Sequence, residues 1–442
     1  MKERAFLYKS AVVASLAGFL FGFDTVVISG AEQTIQSLWS LGSKLHGVAI
    51  SMALWGTVVG SLVGGWPAEF FGRRKTLIWV GALYLVSAIG SALAPEVISF
   101  MIFRFLGGLG IGISTVVAPM YISEIAPPKY RGRLTGMFQF NIVFGILIAF
   151  LSNSLLKGIG ENDWRWMLGV MTLPALLFAL FCIGLPESPR WLIVHNKNRD
   201  GGLSVLKKIS PNLTSGQLDS LVDEIAASGN EKNRSGSLFS RRLMKPVLLA
   251  FFIAFFNQLS GINAILYYAP RIFQMTGLGA QAALLQSIGI GITNLIFTFV
   301  GLWLIDRLGR RTLLIIGSFG YIIFLGLTAW AFSSGRFGFV PICIFGFIGA
   351  HAIGQGAVIW VFISEIFPNK QRAFGQSFGS FTHWFFSASL TMSFPLMAEK
   401  LVPQAIFGFF CGMMVLQLVW VTFFVPETKG ISLEEMEGQI SR

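Results

Sequence analysis

Two side chains that carry charge stand where the sequence is otherwise apolar. Asp24 lies in "FLFGFDTVVISG" (19–30) and Arg104 in "FMIFRFLGGLGIG" (100–112). A charge near the centre of a bilayer costs roughly 3 kcal/mol or more, so such a residue reads as functional by default. A carboxylate paired with a guanidinium stays ionised. Opened to water without it, or partly desolvated, it takes a proton. The chemistry available to this pair is reversible proton binding. The plainer alternative is a static buried salt bridge.

A second group is neutral. "FFNQLSGINAILYYAP" (255–270) places Gln258, Ser260, Gly261 and Asn263 in one apolar segment. Gln139, Asn141, Asn294, Gln355, Trp360, His383 and Trp384 fall in others. A sugar presents hydroxyls around its edge and C–H faces above and below. Amides that donate and accept, with aromatic faces, meet that need. No cluster of charge awaits an ionic substrate. Amides inside membrane helices also serve simply to hold helices together, at about 0.6 kcal/mol each.

A third group is charged and recurs. Glu69, Arg73 and Arg74 are echoed by Asp306, Arg310 and Arg311. Glu124 with Arg131, and Glu365 with Arg372, share a seven-residue spacing, and Glu187, Arg190 and Glu427 complete the set. As solvated anchors such pairs contribute about 0–1 kcal/mol each. As partly buried bidentate pairs between helix ends they form a latch that biases a two-state equilibrium by a few kcal/mol.

The elements that must position these residues are long apolar helices. Of 442 residues, 54% are hydrophobic and only 12% charged, half the usual charged share of a soluble protein. Segments of roughly 20 apolar residues recur along the chain. Twelve spans are expected, at 9–30, 46–68, 76–94, 98–121, 134–156, 166–185, 246–275, 282–304, 312–333, 339–362, 374–398 and 404–425. The first follows Lys2, Arg4 and Lys9 and is too long for a cleaved leader. Of the 33 Lys and Arg, Lys44, Lys157, Arg165, Arg336 and Lys400 fall outside and Arg104 and Arg271 within spans, if both termini are cytoplasmic. The remainder are cytoplasmic, so the net charge of +12 reports topology and not a nucleic-acid partner. Asn212 and Asn233 match glycosylation patterns but fall in a cytoplasmic loop. Cys182, Cys343 and Cys411 show no metal or redox spacing. The glycines of 107–112 follow no strand and carry no Lys-Ser/Thr, so they favour close helix packing over phosphate binding.

Helix rise relates the two buried charges. Asp24, 15 residues beyond Lys9, lies about 22 Å from the cytoplasmic edge and about 8 Å from the outer one. Arg104, entering from outside after Glu96, lies about 12 Å deep. The depths match and the charges are opposite.

The chain is written twice. "FFGRR" (70–74) recurs as "RLGRR" (307–311), "YISEIAPPKYRG" (121–132) as "FISEIFPNKQRA" (362–373) and "PESPR" (186–190) as "PETKG" (426–430), at offsets of 237, 241 and 240. Three pairs in one order indicate duplication. Parallel six-span repeats with a substrate site between them characterise one class of secondary transporter. The expected organisation is a six-helix bundle over 1–186, amphipathic linker helices over 187–245, a second bundle over 246–426 and a tail over 427–442.

Together, "FGFDTVVISG", the repeated charge motifs, "NQLSGINAILYYAP" and "PETKG" resemble the sugar porter family of the major facilitator superfamily, over the whole chain. The resemblance implies an all-α membrane protein with the major facilitator fold. It implies a sugar-binding set of Gln139, Gln258, Asn263, Asn294 and Trp360, with Phe21 and Trp384 as aromatic walls. Tyr267 and Tyr268 take the place of the extracellular gate, where the seventh span bends near Gly261. Asn257 stands where the family usually has a second glutamine, and His383 where many members have Gln or Asn, a pattern similar to fructose-carrying members. Glu69 replaces the usual Asp of its motif. Proton-coupled members resemble this chain in having Asp at position 24, which implies proton–monosaccharide symport, hexose being expected. The alternatives are a passive uniporter or a non-transporting sensor. The remaining expectations are no enzymatic activity, no cofactor and no metal. The partners are a monosaccharide, protons and the lipid bilayer of a cell (inner) membrane, and the protein acts as a monomer.

Overall fold

The computed structural model describes residues 5–230, 240–368 and 371–430. Lys2, Arg4, Asn233 and the tail beyond residue 430 therefore lie outside the described residues. Among those described, eleven helices are long and apolar enough to cross a membrane: Ala5–Leu38, Ser43–Val63, Arg73–Leu93, Val97–Ile125, Tyr130–Leu156, Asp163–Ile183, Arg241–Tyr267, Ala280–Leu308, Arg310–Ser333, Phe337–Ile366 and Pro403–Phe424. The helix Arg372–Lys400, with 29 residues, is the remaining span. Ser, Thr and His along it make it the most polar of the twelve. They are called spans one to twelve below, in chain order.

Lipid-facing residues identify the solvent. Phe423, Leu93 and Leu155 are 76%, 70% and 69% exposed, which water would penalise and hydrocarbon does not. Helices keep backbone hydrogen bonds within the segment, as a bilayer requires. Small residues let spans two and four approach closely. A Cβ on Gly112 would meet the Ser61 nitrogen at 2.4 Å and the Thr57 carbonyl oxygen at 2.5 Å.

The repeat is visible in packing. Span three packs on spans four and six, and span nine packs in the same way on spans ten and twelve. Between the repeats, short helices Pro189–Val194, Arg199–Ile209 and Ser215–Asn230 form, as the apolar spacing of the linker leads one to expect.

Two spans are broken. Span seven ends its first helix at Leu259 and restarts at Ile262, with Gly261 at φ +86°. That left-handed backbone suits glycine, and a Cβ would lie 2.6 Å from the Phe410 ring. Span ten breaks at Gly354, whose Cα approaches Gly317, a break that its apolar sequence does not announce.

By proximity the chain forms two compact units. The first comprises Met1–Asp24, Trp55–Ile146 and Leu168–Ser235. The second comprises Thr25–Leu54, Leu147–Met167 and Gly236–Arg442. The second unit thus takes in one end of spans one, two, five and six together with the whole second repeat. Within it, Gln281 at the start of span eight donates to the Ser154 carbonyl of span five at 3.1 Å.

Candidate functional site

Spans one and four bring Asp24 and Arg104 together inside the first unit. Arg104 Nη1 donates to Asp24 Oδ1 at 2.7 Å, and Nη2 lies 3.3 Å from the Asp24 carbonyl oxygen. Both side chains are 2% exposed. Asp24 Oδ2 and Arg104 Nε have no hydrogen-bond partner among the described residues. Gly107 makes room beside the pair, its Cβ position lying 2.3 Å from Ser87 Oγ and 4.0 Å from Asp24 Oδ1. The carboxylate is thus held by one side-chain hydrogen bond to one of its oxygens.

The amides of span seven form a network in the second unit. Gln258 Nε2 donates to Asn257 Oδ1 at 2.8 Å, and Gln258 Oε1 accepts from Asn263 Nδ2 at 2.8 Å. The same Asn263 nitrogen reaches Ser387 Oγ on span eleven at 2.8 Å. Gln258 Nε2 also lies 3.1 and 3.3 Å from the two ring nitrogens of His383. Asn257 Nδ2 is 3.5 Å from Gln355 Oε1, and a chain continues from Gln355 through Gln417 to Ser318 at 2.9 and 2.7 Å. Trp360 and Trp384 flank the His383 ring at centroid distances of 5.0 and 4.8 Å. Trp360 alone of this group is well exposed, at 37%.

The other predicted residues are less connected. Asn294 is buried and accepts from Thr298 at 3.4 Å. Phe21 and Gln139 are half-buried residues of the first unit. Tyr267 and Tyr268 are both fully buried. Tyr268 donates to the Thr391 carbonyl at 3.1 Å and stacks on Phe394 at 5.0 Å.

The repeated charges build two copies of one cluster. Arg73 grips Glu124 with two bonds of 2.9 Å, and Arg310 grips Glu365 at 3.0 and 2.7 Å. Glu187 accepts from the backbone nitrogens of Arg73 and Arg74 at 2.9 and 3.2 Å, and Glu427 from those of Arg310 and Arg311 at 2.8 and 3.1 Å. Ser188 binds Glu124 at 2.5 Å, and Thr428 binds Glu365 at 2.6 Å. Gly72 and Gly309 share φ +92° and ψ 165°. A Cβ at either would strike the glutamate, at 2.4 Å from Glu187 and 2.5 Å from Glu427. Burial pushes the Glu187 carboxyl up, opposed by the Ser188, Arg74 and Arg73 N–H donors and by the Arg73 charge.

As expected of pairs between different helix ends, the glutamates of the two seven-residue motifs pair with arginines 51 and 55 positions away. Arg131 is exposed and donates to the Ser123 carbonyl at 3.2 Å. It lines a cavity of about 1130 Å³ with Arg190, Glu124 and Tyr130. Arg372 Nε and Nη2 have no partner among the described residues. Glu69 is exposed, and its backbone carbonyl accepts from the Trp191 indole at 2.7 Å. Asp306 is 3.2 Å from Arg310.

A third buried charge group escaped the sequence reading. Glu32 is fully buried on span one. It accepts from Arg271 Nε at 2.8 Å, from Arg271 Nη2 at 2.6 Å and from His46 Nε2 at 2.8 Å. Ending the first span at residue 30 leaves Glu32 outside the membrane; the helix runs on to Leu38. An acid eight positions after Asp24, with an arginine inside span seven, was the available signal.

Residues 10–439 match the family model "Sugar (and other) transporter". The chain belongs to this family. Its members are transporters and not enzymes. The chain is 34% identical to the arabinose-proton symporter of Bacillus subtilis, over 98% of this chain and 94% of that protein. It is 33% identical to the D-xylose-proton symporter of Escherichia coli, over 98% and 96%. Among solved structures, the inward open conformation of the xylose transporter XylE from E. coli superposes with a TM-score of 0.87 at 31% identity, covering 98% of this chain and 100% of that one. The chain thus shares its architecture over nearly its whole length with this transporter, as a multi-pass membrane protein of the major facilitator fold.

Proposed function

We propose that the chain is a proton-coupled monosaccharide importer that works by alternating access, with a hexose as the expected sugar. The Asp24–Arg104 pair carries this reading. It is a buried carboxylate with one oxygen held by a guanidinium and one oxygen unpartnered. Two similar proteins named as proton symporters, for arabinose and for xylose, support it.

The chemistry follows from the residues. Ionised Asp24 holds Arg104 and with it spans one and four. A proton on Oδ2 removes the charge that holds the guanidinium, so the two spans are freed to rearrange. The sugar's hydroxyls exchange hydrogen bonds with Gln258, Asn263 and Asn257, whose amides are buried and already oriented by one another, and with Asn294, buried beside Thr298. Trp360 offers its exposed face to the C–H surface of the ring, with His383 and Trp384 behind it. The roles of Phe21 and Gln139 as further sugar contacts rest on resemblance. The break at Gly261 gives the segment carrying Tyr267 and Tyr268 a hinge, consistent with a gate.

The twin clusters Arg73–Glu124–Glu187 and Arg310–Glu365–Glu427 act as the charge latch at the cytoplasmic end. Asp306, Arg74, Arg311 and Glu69 stand at the same helix ends, with Arg131, Arg190 and Arg372 as further members of the latch. The excess of Lys and Arg at that end supports cytoplasmic termini in a cell (inner) membrane. The repeats 1–186 and 246–426, joined by the linker 187–245 and followed by the tail from 427, act together as a monomer.

Uptake of a panel of labelled sugars into vesicles tests this, with and without an imposed proton gradient. A symporter accumulates its sugar above the outside concentration only with the gradient. Equilibration alone would make the chain a uniporter, and no uptake of any sugar would favour a sensor.

A further inference from the structure

The Glu32 group has a composition that the proton-coupling pair does not need. Glu32 and His46 both belong to the first repeat, on spans one and two. Arg271 belongs to the second repeat, on the short helix Ala269–Gln274 that follows span seven. All three lie in the second compact unit, at the gate end. Arg271 Nη2 also donates to Gln36 Oε1 at 2.6 Å, one helical turn beyond Glu32. Parting of the repeats at this end would carry Arg271 away and leave Glu32 and His46 together.

The charges then have to be rebalanced. Closed, the group holds one carboxylate and one guanidinium, with His46 Nε2 bonded to Glu32. His46 is 0% exposed, and its Nδ1 has no partner among the described residues. A second positive charge there would be unmatched in a buried site. Open, Glu32 has lost its guanidinium, and a proton on His46 Nδ1 restores neutrality. Histidine is the side chain suited to make this exchange between pH 5 and pH 8.

We propose that Glu32 and His46 form a second proton site at the outer gate, in which a proton on His46 replaces Arg271 whenever the gate opens. Acidic pH outside therefore favours the open gate, and closure expels the proton as Arg271 returns. Among the described residues, the other groups named against this pair bring no competing charge. Tyr268 lies with its ring centroid 6.4 Å away and gives its hydroxyl to Thr391. Span eleven approaches Gly47 with the Met392 carbonyl, 2.0 Å from where a Cβ would be. Lys44 is exposed. The proposal rests on the alternating-access reading but not on Asp24 as the proton carrier.

Spin labels at Leu38→Cys and Leu401→Cys, both exposed near this end, report its opening by electron–electron distance measurement in lipid nanodiscs at pH 8 and pH 5.5. The open-to-closed ratio is expected to rise as pH falls, by up to about tenfold per pH unit if one proton is linked. Asp24→Asn should keep this response. His46→Gln and Glu32→Gln should each abolish it, and Arg271→Gln should raise the open fraction at both pH values. Counterflow of a transported sugar by His46→Gln checks that it is folded; if it is not, Glu32→Gln carries the test. A response that survives both His46→Gln and Glu32→Gln, or that disappears in Asp24→Asn, would overturn the second site. So would a distance distribution that pH does not move.

Discussion

At the scale of single residues, the buried polar groups set the costs. Arg104 balances a carboxylate that is 2% exposed. Removing one partner of a buried pair leaves an uncompensated charge and costs about 3–5 kcal/mol, whereas removing both costs much less. Arg104→Gln should therefore lower thermal stability in detergent sharply, and Asp24→Asn/Arg104→Gln should recover most of the loss. A double variant as unstable as Arg104→Gln would mean that the two side chains are not coupled. In the amide network, Gln258 bonds Asn257 and Asn263 and lies against His383. Gln258→Ala removes a sugar partner and loosens its neighbours. Each hydrogen bond is worth about 1 kcal/mol, or up to 3 if a buried partner is left unsatisfied. Sugar affinity should then fall about tenfold or more, as titration calorimetry can read. Unchanged affinity would make the network helix–helix glue.

The legibility of residues varied for physical reasons. Asp24 and Arg104 were paired from the sequence because helical rise converts position into depth, and both spans were placed closely enough. Glu32 was missed because span one runs to Leu38, so an acid taken to lie in water is buried. The partner of Glu124 was not legible either. Seven-residue spacing brings Arg131 near in sequence, yet the turn at Gly72 presents Arg73 from another span with both N–H groups aligned. Pairing across helices depends on how their ends converge, which spacing within one motif does not encode.

At the scale of elements, two glycine turns decide how the repeats are tied. Gly72 and Gly309 hold φ +92° so that the following arginine offers its backbone N–H to one glutamate and its side chain to another. Alanine at either position meets the left-handed backbone and the carboxyl together, a cost of order 1–3 kcal/mol. Gly72→Ala and Gly309→Ala should both lower the melting temperature, by similar amounts. A neutral Gly309→Ala would deny that the second cluster is the equal of the first. The bend of span seven at Gly261 was legible through resemblance. The break of span ten at Gly354 was not, because close contact with Gly317 imposes it from outside the segment.

At the scale of the molecule, duplication organises everything else. Offsets of 237 to 241 residues relate both arginine clusters, both glutamate sets and both sets of span contacts. The symmetry fails where transport needs direction. Arg104 has Phe345 at the matching position, and the long amide network belongs to the second repeat alone. In the proposed reading one half carries the coupling charge and the other most of the sugar-facing polarity. Asp24→Asn in proteoliposomes tests that division most directly. Accumulation driven by a proton gradient should be lost while sugar counterflow continues; full accumulation by this variant would contradict Asp24 as the proton carrier.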